Sequence, residues 1–191
     1  NDLPKAVPSF NTVMYADDTS FFCQGSTWCE VVANFNHESV HIVNWLKLNR
    51  LSLNVQKTHA VIFSPKFNPD MPPLDIVLNN HSIEIVPSTL FLGVIIDSHL
   101  KWQLHINHVA SRAAKGAGIL YKLKHKFYHR TLIMLYNAFV FSHLCYGNIV
   151  WGNAAHTYLD RLYLLQKRIV RIICNKSYLA HTNSLFIELK I

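Results

Sequence analysis

Apolar positions change their spacing once along the chain. Up to about residue 98, short β-rich runs alternate with turn residues around a single helical stretch; from about Trp102 the spacing is helical almost to the end. The first ten residues, with Pro4 and Pro8, read as irregular. VMYADDTSFF, residues 13–22, reads as strand, turn, strand. Thr27–Lys47 is expected to be a helix. Val32, Phe35, Ser39, Ile42 or Val43, and Leu46 fall on one stripe, while Asn34, His37, Glu38, His41 and Asn44 fall on another. Ser26 or Thr27 suits the N-cap, and Glu30 stands three residues after Thr27, as a capping box requires.

Beyond that helix, His59–Ser64 has strand character and Pro65–Pro73 reads as a loop. DIVLNNHSIEIV, residues 75–86, signals a hairpin turning at Asn79-Asn80, two residues that tolerate positive φ. TLFLGVIID, residues 89–97, reads as one strand with Gly93 inside it, the mark of a bulge or of close approach by another backbone. Segments 103–124, 129–146 and 156–174 are candidate helices. The expectation is an α+β region, 1–98, followed by an all-α region, 99–191. There are no internal repeats and no low-complexity tracts.

Charge sharpens that division. The net charge is +7, but residues 1–98 hold five Lys/Arg against nine Asp/Glu, a net −4. Residues 99–191 hold thirteen Lys/Arg against two acids, Asp160 and Glu188, a net +11. A strongly basic half implies a polyanionic partner, nucleic acid ahead of an acidic membrane; the plainer account is a solvated helical surface. With 50% hydrophobic and 15% charged residues, the chain can bury a core and is not a disordered tail.

Cys23, Cys29, Cys145 and Cys174 show no paired spacing, so reduced thiols in an intracellular protein are expected. Thr131–Val150 is the most apolar long stretch, yet Asn137, Ser142, His143 and Asn148 interrupt it; it reads as a buried helix and no membrane partner is expected. The opening NDLPKAVPSF and the closing LFIELKI both look cut from something longer.

The chemistry concentrates in Asp17-Asp18. Neighbouring carboxylates repel, and both stay ionised cheaply only beside a cation. Their hard oxygens suit Mg²⁺, which takes one or two carboxylates plus waters and substrate phosphates. Two such ions, about 3.5–4 Å apart, form the clamp for in-line nucleotidyl displacement. A solvated turn also favours Asp, so the pair alone is weak evidence.

The rest of the chain adds context. YADD, then VNWLKLNRLSLNVQKTHAVIF, then FLGVIIDSHLKWQLHI, then a basic helical segment ending CYGNIVWG, resembles the reverse transcriptase of LINE-type retrotransposons, those without long terminal repeats. The likeness runs over nearly the whole chain in the family's order. It implies a right-hand polymerase, of which 1–98 would be the C-terminal part of the palm and 99–191 the thumb.

By the same resemblance, Asp17 is a direct metal ligand, Asp18 a supporting carboxylate, and the cofactor a pair of Mg²⁺ ions. Lys57 is the candidate to protonate the leaving pyrophosphate, or else a solvated lysine. Leu92 and Gly93 belong to the primer grip. The implied partners are an RNA template, a DNA primer and deoxynucleoside triphosphates, with action in the nucleus, although no targeting signal is visible. The family's first palm motif, with its third Asp, and the fingers have no counterpart here; Asp2, in NDLP, cannot take that role. The chain by itself is therefore expected to be inactive. The alternative is a transposon relic that only binds nucleic acid.

Two further patterns compete for attention. HESVH, residues 37–41, is a literal HExxH, which on a helix can hold Zn²⁺ with Glu38 as base. No His follows at position 47, which is Lys, and twelve His make chance pairs common, so a polar helix face is expected. His105-Ile106-Asn107-His108 reads as a helix start. In SRAAKGAGILYKLKHKFYHR, Arg112, Lys115, Lys122, Lys124, Lys126 and Arg130 alternate with small residues and are the candidate contacts to primer–template phosphates. Lys167, Arg168, Arg171 and Lys176 supply a second basic face.

Overall fold

A computed structural model describes residues 2–64 and 75–191, so the loop expected over Pro65–Pro73 lies outside the described residues. Two compact units divide the chain, Asn1–Thr89 and Leu90–Ile191, a break that falls upstream of the charge boundary near residue 98. The structure is mixed α and β, as the change of period implies.

In the first unit the opening segment is not irregular. Leu3–Ala6 forms a helical turn, α1, with Pro4 in its first positions, where a missing N–H costs nothing. Leu3, Val7 and Phe10 enter the core. Strands β1 (Asn11–Tyr15) and β2 (Asp18–Phe22) form an antiparallel hairpin. Helix α2 (Trp28–Leu48) starts where the sequence places it: the Thr27 hydroxyl accepts from Glu30 N at 3.2 Å. The Glu30 carboxylate accepts from Ser26 N at 3.0 Å, one residue before the position of an ideal capping box. Ile42, Val32, Phe35, Val43 and Leu46 face the core, and Ser39 is buried among them. The Ser39 hydroxyl is satisfied by donating to the carbonyls of Asn36 (2.9 Å) and Val77 (3.2 Å).

The remaining strands of this unit are short. β3 (His59–Ala60) occupies only the start of the expected 59–64 run and pairs in parallel with β6 (Glu84–Ile85). β4 (Val77–Leu78) and β5 (His81–Ser82) form the expected hairpin, with Asn79 (φ 53°) and Asn80 (φ 61°) both left-handed, the signature of a type I′ turn. One helix side chain docks this hairpin. Asn36 donates to Asp75 O and accepts from Val77 N, each at 2.8 Å, and so pairs with the backbone as another strand would.

The single strand expected over 89–97 is two strands, β7 (Ser88–Phe91) and β8 (Val94–Asp97), which pair with each other. Gly93 (φ 81°) lies at their turn with Leu92 (φ 45°), not inside a strand. Among the described residues the strands thus form four separate pairs rather than one continuous sheet.

The second unit is helical. α3 (Gln103–Leu123) is its central member. α4 (His129–Tyr136) continues through a π-turn (Asn137–Phe141) into α5 (Ser142–Cys145), and Gly147 (φ 61°) breaks the run before α6 (Asn148–Trp151). α7 (His156–Ile173) packs along α3, and α8 (Asn183–Leu189) closes the chain. One apolar cluster joins Ala113, Ala117 and Leu120 of α3 to Leu132, Tyr136 and Val140, and to Ile169, Val170 and Ile173 of α7. Among the described residues no helix is long and apolar enough to cross a membrane.

The contact of α3 with the π-turn is close. A Cβ on Gly116 would lie 2.7 Å from the Phe139 carbonyl oxygen and from a Val140 methyl, whereas one on Gly118 would meet nothing within 4 Å. Gly116→Ala is therefore expected to destabilise the unit by about 1–3 kcal/mol through overpacking. Gly118→Ala, one half-turn away, is expected to stabilise it by about 1 kcal/mol through helix propensity. Chemical denaturation of the two variants checks both signs.

Candidate functional site

The β1–β2 register sets Tyr15 opposite Asp18 and leaves Ala16-Asp17 as a two-residue turn. Ala16 sits at φ 52°, a left-handed conformation that costs an L-residue about 1–2 kcal/mol. Alternation then sends Thr12, Met14, Thr19 and Phe21 to one face, and Met14 and Phe21 pack on the core, with Phe21 5.7 Å from the Phe10 ring. Val13, Tyr15 and Phe22 lie on the outward face and are exposed, as are Asp17 and Asp18 at the tip. Neither carboxylate is paired with a cation among the described residues.

Two adjacent, solvent-facing carboxylates fit Mg²⁺, an ion that keeps most of its waters and shares phosphate oxygens with a substrate. Asp17 and Asp18 are the residues that would hold it. No group of three or more His, Cys, Asp or Glu side chains is gathered as a metal site among the described residues. Bound there, the ion would supply charge neutralisation at a phosphate.

Lys57 ends a 3₁₀ turn, Val55–Lys57, whose entry is capped by Asn54: its side chain accepts from Lys57 N at 3.3 Å. The Thr58 hydroxyl donates to Asn54 O at 2.9 Å. The Lys57 side chain is exposed and has no acidic partner among the described residues.

Leu92 and Gly93 stand at the tip of the β7–β8 hairpin, and CYGNIVWG is what holds that tip. The Tyr146 hydroxyl donates to Leu92 O at 2.7 Å, and its ring leaves only 3.0 Å for a Cβ at Gly93. A Cβ on Gly147 would likewise lie 3.0 Å from a Val94 methyl. Trp151 Nε1 donates to Tyr146 O at 3.0 Å, and the Trp151 ring meets the His105 ring edge-on at 5.5 Å. His105 is buried, and its Nδ1 accepts from Ile95 N at 3.2 Å. Burial, with His108 adding to it, pushes the His105 pKa down.

The β8–α3 junction turns on Asp97. Its carboxylate accepts from the backbone N–H groups of His99 (3.2 Å), Lys101 (3.1 Å) and Trp102 (2.9 Å). Partial burial works to raise its pKa, but those three donors overcome it and hold the carboxyl below its ordinary value.

The basic candidates do not share one face. Lys115 and Lys122 are seven residues apart and fall on one exposed stripe of α3. Arg112 is exposed to one side of that stripe. Lys124 is half-buried, with its ammonium 4.9 Å over the Tyr121 ring, while Lys126 and Arg130 are exposed beyond the helix end.

In HESVH, Glu38 accepts from the Ser9 hydroxyl at 2.8 Å and lies 3.2 Å from His37 Nδ1. The Ser9 bond, then His37, holds its pKa down. The glutamate thus ties the segment before β1 to α2, a structural use of the motif.

Tyr146, Asp97 and Asn36 were not singled out from sequence, and His105 was read there only as part of a helix start. Asp97 carried a local signal, an acid shortly before a helical period; the other three act through residues distant in sequence, which no local pattern reveals.

Comparison with known proteins gives a distant likeness. The chain is 24% identical over 181 residues to the RNA-directed DNA polymerase from mobile element jockey of Drosophila funebris, covering 93% of this chain and 19% of that protein. It is 24% identical over 183 residues to the probable RNA-directed DNA polymerase from transposon BS of Drosophila melanogaster, covering 93% and 20%. To that of transposon X-element from the same fly it is 20% identical over 150 residues, covering 77% and 16%. The chain therefore spans about a fifth of the length of the curated relatives it matches. No family model and no solved structure matches.

Asp97→Ala should lower thermal stability at neutral pH. A carboxylate with a depressed folded pKa stabilises above its unfolded value and loses that contribution as pH falls. The gap in Tm between parent and variant should therefore narrow below about pH 4, which thermal melts across pH 3–7 measure.

Proposed function

We propose that this chain is a piece of a retrotransposon RNA-directed DNA polymerase, carrying the C-terminal part of the palm (1–98) and a helical thumb (99–191). The observation that carries the reading is the β1–β2 hairpin, which presents Asp17 and Asp18 exposed at its tip in a chain distantly similar, over most of its length, to such polymerases. In the parent enzyme Asp17 serves as a direct Mg²⁺ ligand and Asp18 supports it. Lys57 gives a proton to the leaving pyrophosphate, and the Leu92-Gly93 turn positions the primer end. The substrates are deoxynucleoside triphosphates, with an RNA template and a DNA primer. The basic helical unit binds the primer–template duplex.

A second reading, resting on the basic helical unit alone, is that the chain binds nucleic acid and does no chemistry. Both readings hold that this chain alone does not polymerise. Primer extension with Mg²⁺ or Mn²⁺ should give no product above background, and templated incorporation by the isolated chain would contradict that.

Duplex binding tests the part that both readings share. Affinity for an RNA–DNA hybrid should fall steeply with salt, and Lys122→Glu with Lys126→Glu should reduce the slope of log K against log salt by about one per contact removed. An unchanged slope would overturn the assignment of these lysines.

A further inference from the structure

The packing of α7 along α3 leaves a groove of about 1090 Å³ on the outside of the helical unit. Its α3 side is built from small residues, Ala110, Ser111 and Ala114, so an approaching chain can come close to the helix backbone. Its α7 side follows from spacing: Arg161, Leu164, Arg168 and Arg171 step by three, four and three residues and so form one stripe. Lys115 faces the groove from α3.

No acidic residue lines this groove, and the two acids of residues 99–191, Asp160 and Glu188, pair with none of its cations among the described residues. Like charges gathered without compensation repel, and a bound polyanion relieves that cost.

The far end carries an aromatic platform. Arg171 Nε donates to Ala180 O at 2.8 Å and so fixes the loop that follows α7. Its guanidinium lies 5.8 Å from the centre of the Tyr178 ring, which remains 78% exposed at the mouth of the groove. From Arg161 to Arg171 the helix advances about 15 Å. That is too long for one free phosphate and suits several consecutive phosphates of a strand. A concave groove with small residues along one side also suits a narrow strand better than a flat bilayer.

We propose that the α3–α7 groove is a binding site for single-stranded nucleic acid. The backbone phosphates pass Arg161, Lys115, Arg168 and Arg171, and a base stacks on Tyr178, the combination of basic track and aromatic platform that binds strands without reading sequence. The proposal rests on the nucleic-acid reading of the basic unit, but Arg161, Arg168, Arg171 and Tyr178 are separate from the lysines assigned there to duplex.

The test is fluorescence anisotropy of the full chain with a labelled 12-nucleotide oligouridylate, beside an RNA–DNA hybrid and phosphatidylserine vesicles. Circular dichroism of every variant checks the fold. Arg168→Glu should weaken single-strand binding about tenfold and lower its salt slope. Tyr178→Ala should weaken it about tenfold with the slope unchanged, since stacking releases no counterions. Lys47→Gln, on α2 and outside the groove, should leave it within twofold. If the parent binds oligouridylate and folded Arg168→Glu and Tyr178→Ala bind it equally well, the groove assignment is wrong while the duplex reading stands. If the parent binds neither nucleic acid, both fail. If only vesicles bind, and Arg168→Glu releases them, the groove serves a membrane surface and the proposal is overturned.

Discussion

The β1–β2 register constrains most of what the first unit presents. With Tyr15 set against Asp18, a slip of one residue would turn Met14 and Phe21 out of the core and bring Val13 and Tyr15 in. Core packing therefore fixes which residues reach the turn. The chain places two acids there, holds Ala16 in a left-handed conformation, and leaves both carboxylates without a cation among the described residues. A turn serving shape alone would carry Gly or Asn at φ 52° at lower cost. The strain and the unrelieved repulsion fall on adjacent residues, where a bound divalent ion would offset one of them.

The second unit depends on α3. Gly116 admits the backbone of the π-turn on one side, and the packing of α7 against another side opens the basic groove. Near the start of the helix, Asp97 gathers the preceding loop and His105 seats Trp151. Through Trp151 and Tyr146, that seat is continuous with the Leu92-Gly93 turn. The hairpin tip is thus held by a chain of contacts within the helical unit.

How much of this was legible in the sequence varied with the range of the interaction. α2 and its capping, the Asn79-Asn80 turn and the three long helices follow from local period and turn chemistry, and the structure has them where the spacing places them. Residues 89–97 misled because a two-residue turn with Leu92 at positive φ interrupts an apolar run without any polar residue to mark it. α1 was missed because two prolines suggest irregularity, although Pro4 sits where a helix accepts it. The basic residues were legible as a composition but not as surfaces. Helical phase separates Lys124 from Lys122, and only the packing of α7 on α3 brings Lys115 to Arg168. The YADD turn was legible as a motif, and the structure adds its exposure and its strain.

Mn²⁺ titration followed by NMR reads out whether the β1–β2 turn binds a divalent ion, because the paramagnetic ion broadens the amide signals nearest its site. Signals of residues 16–19 should broaden first, and Asp17→Asn should abolish the effect. Broadening that begins instead at His37 and His41, or that persists at the hairpin unchanged in Asp17→Asn, would contradict binding by this turn.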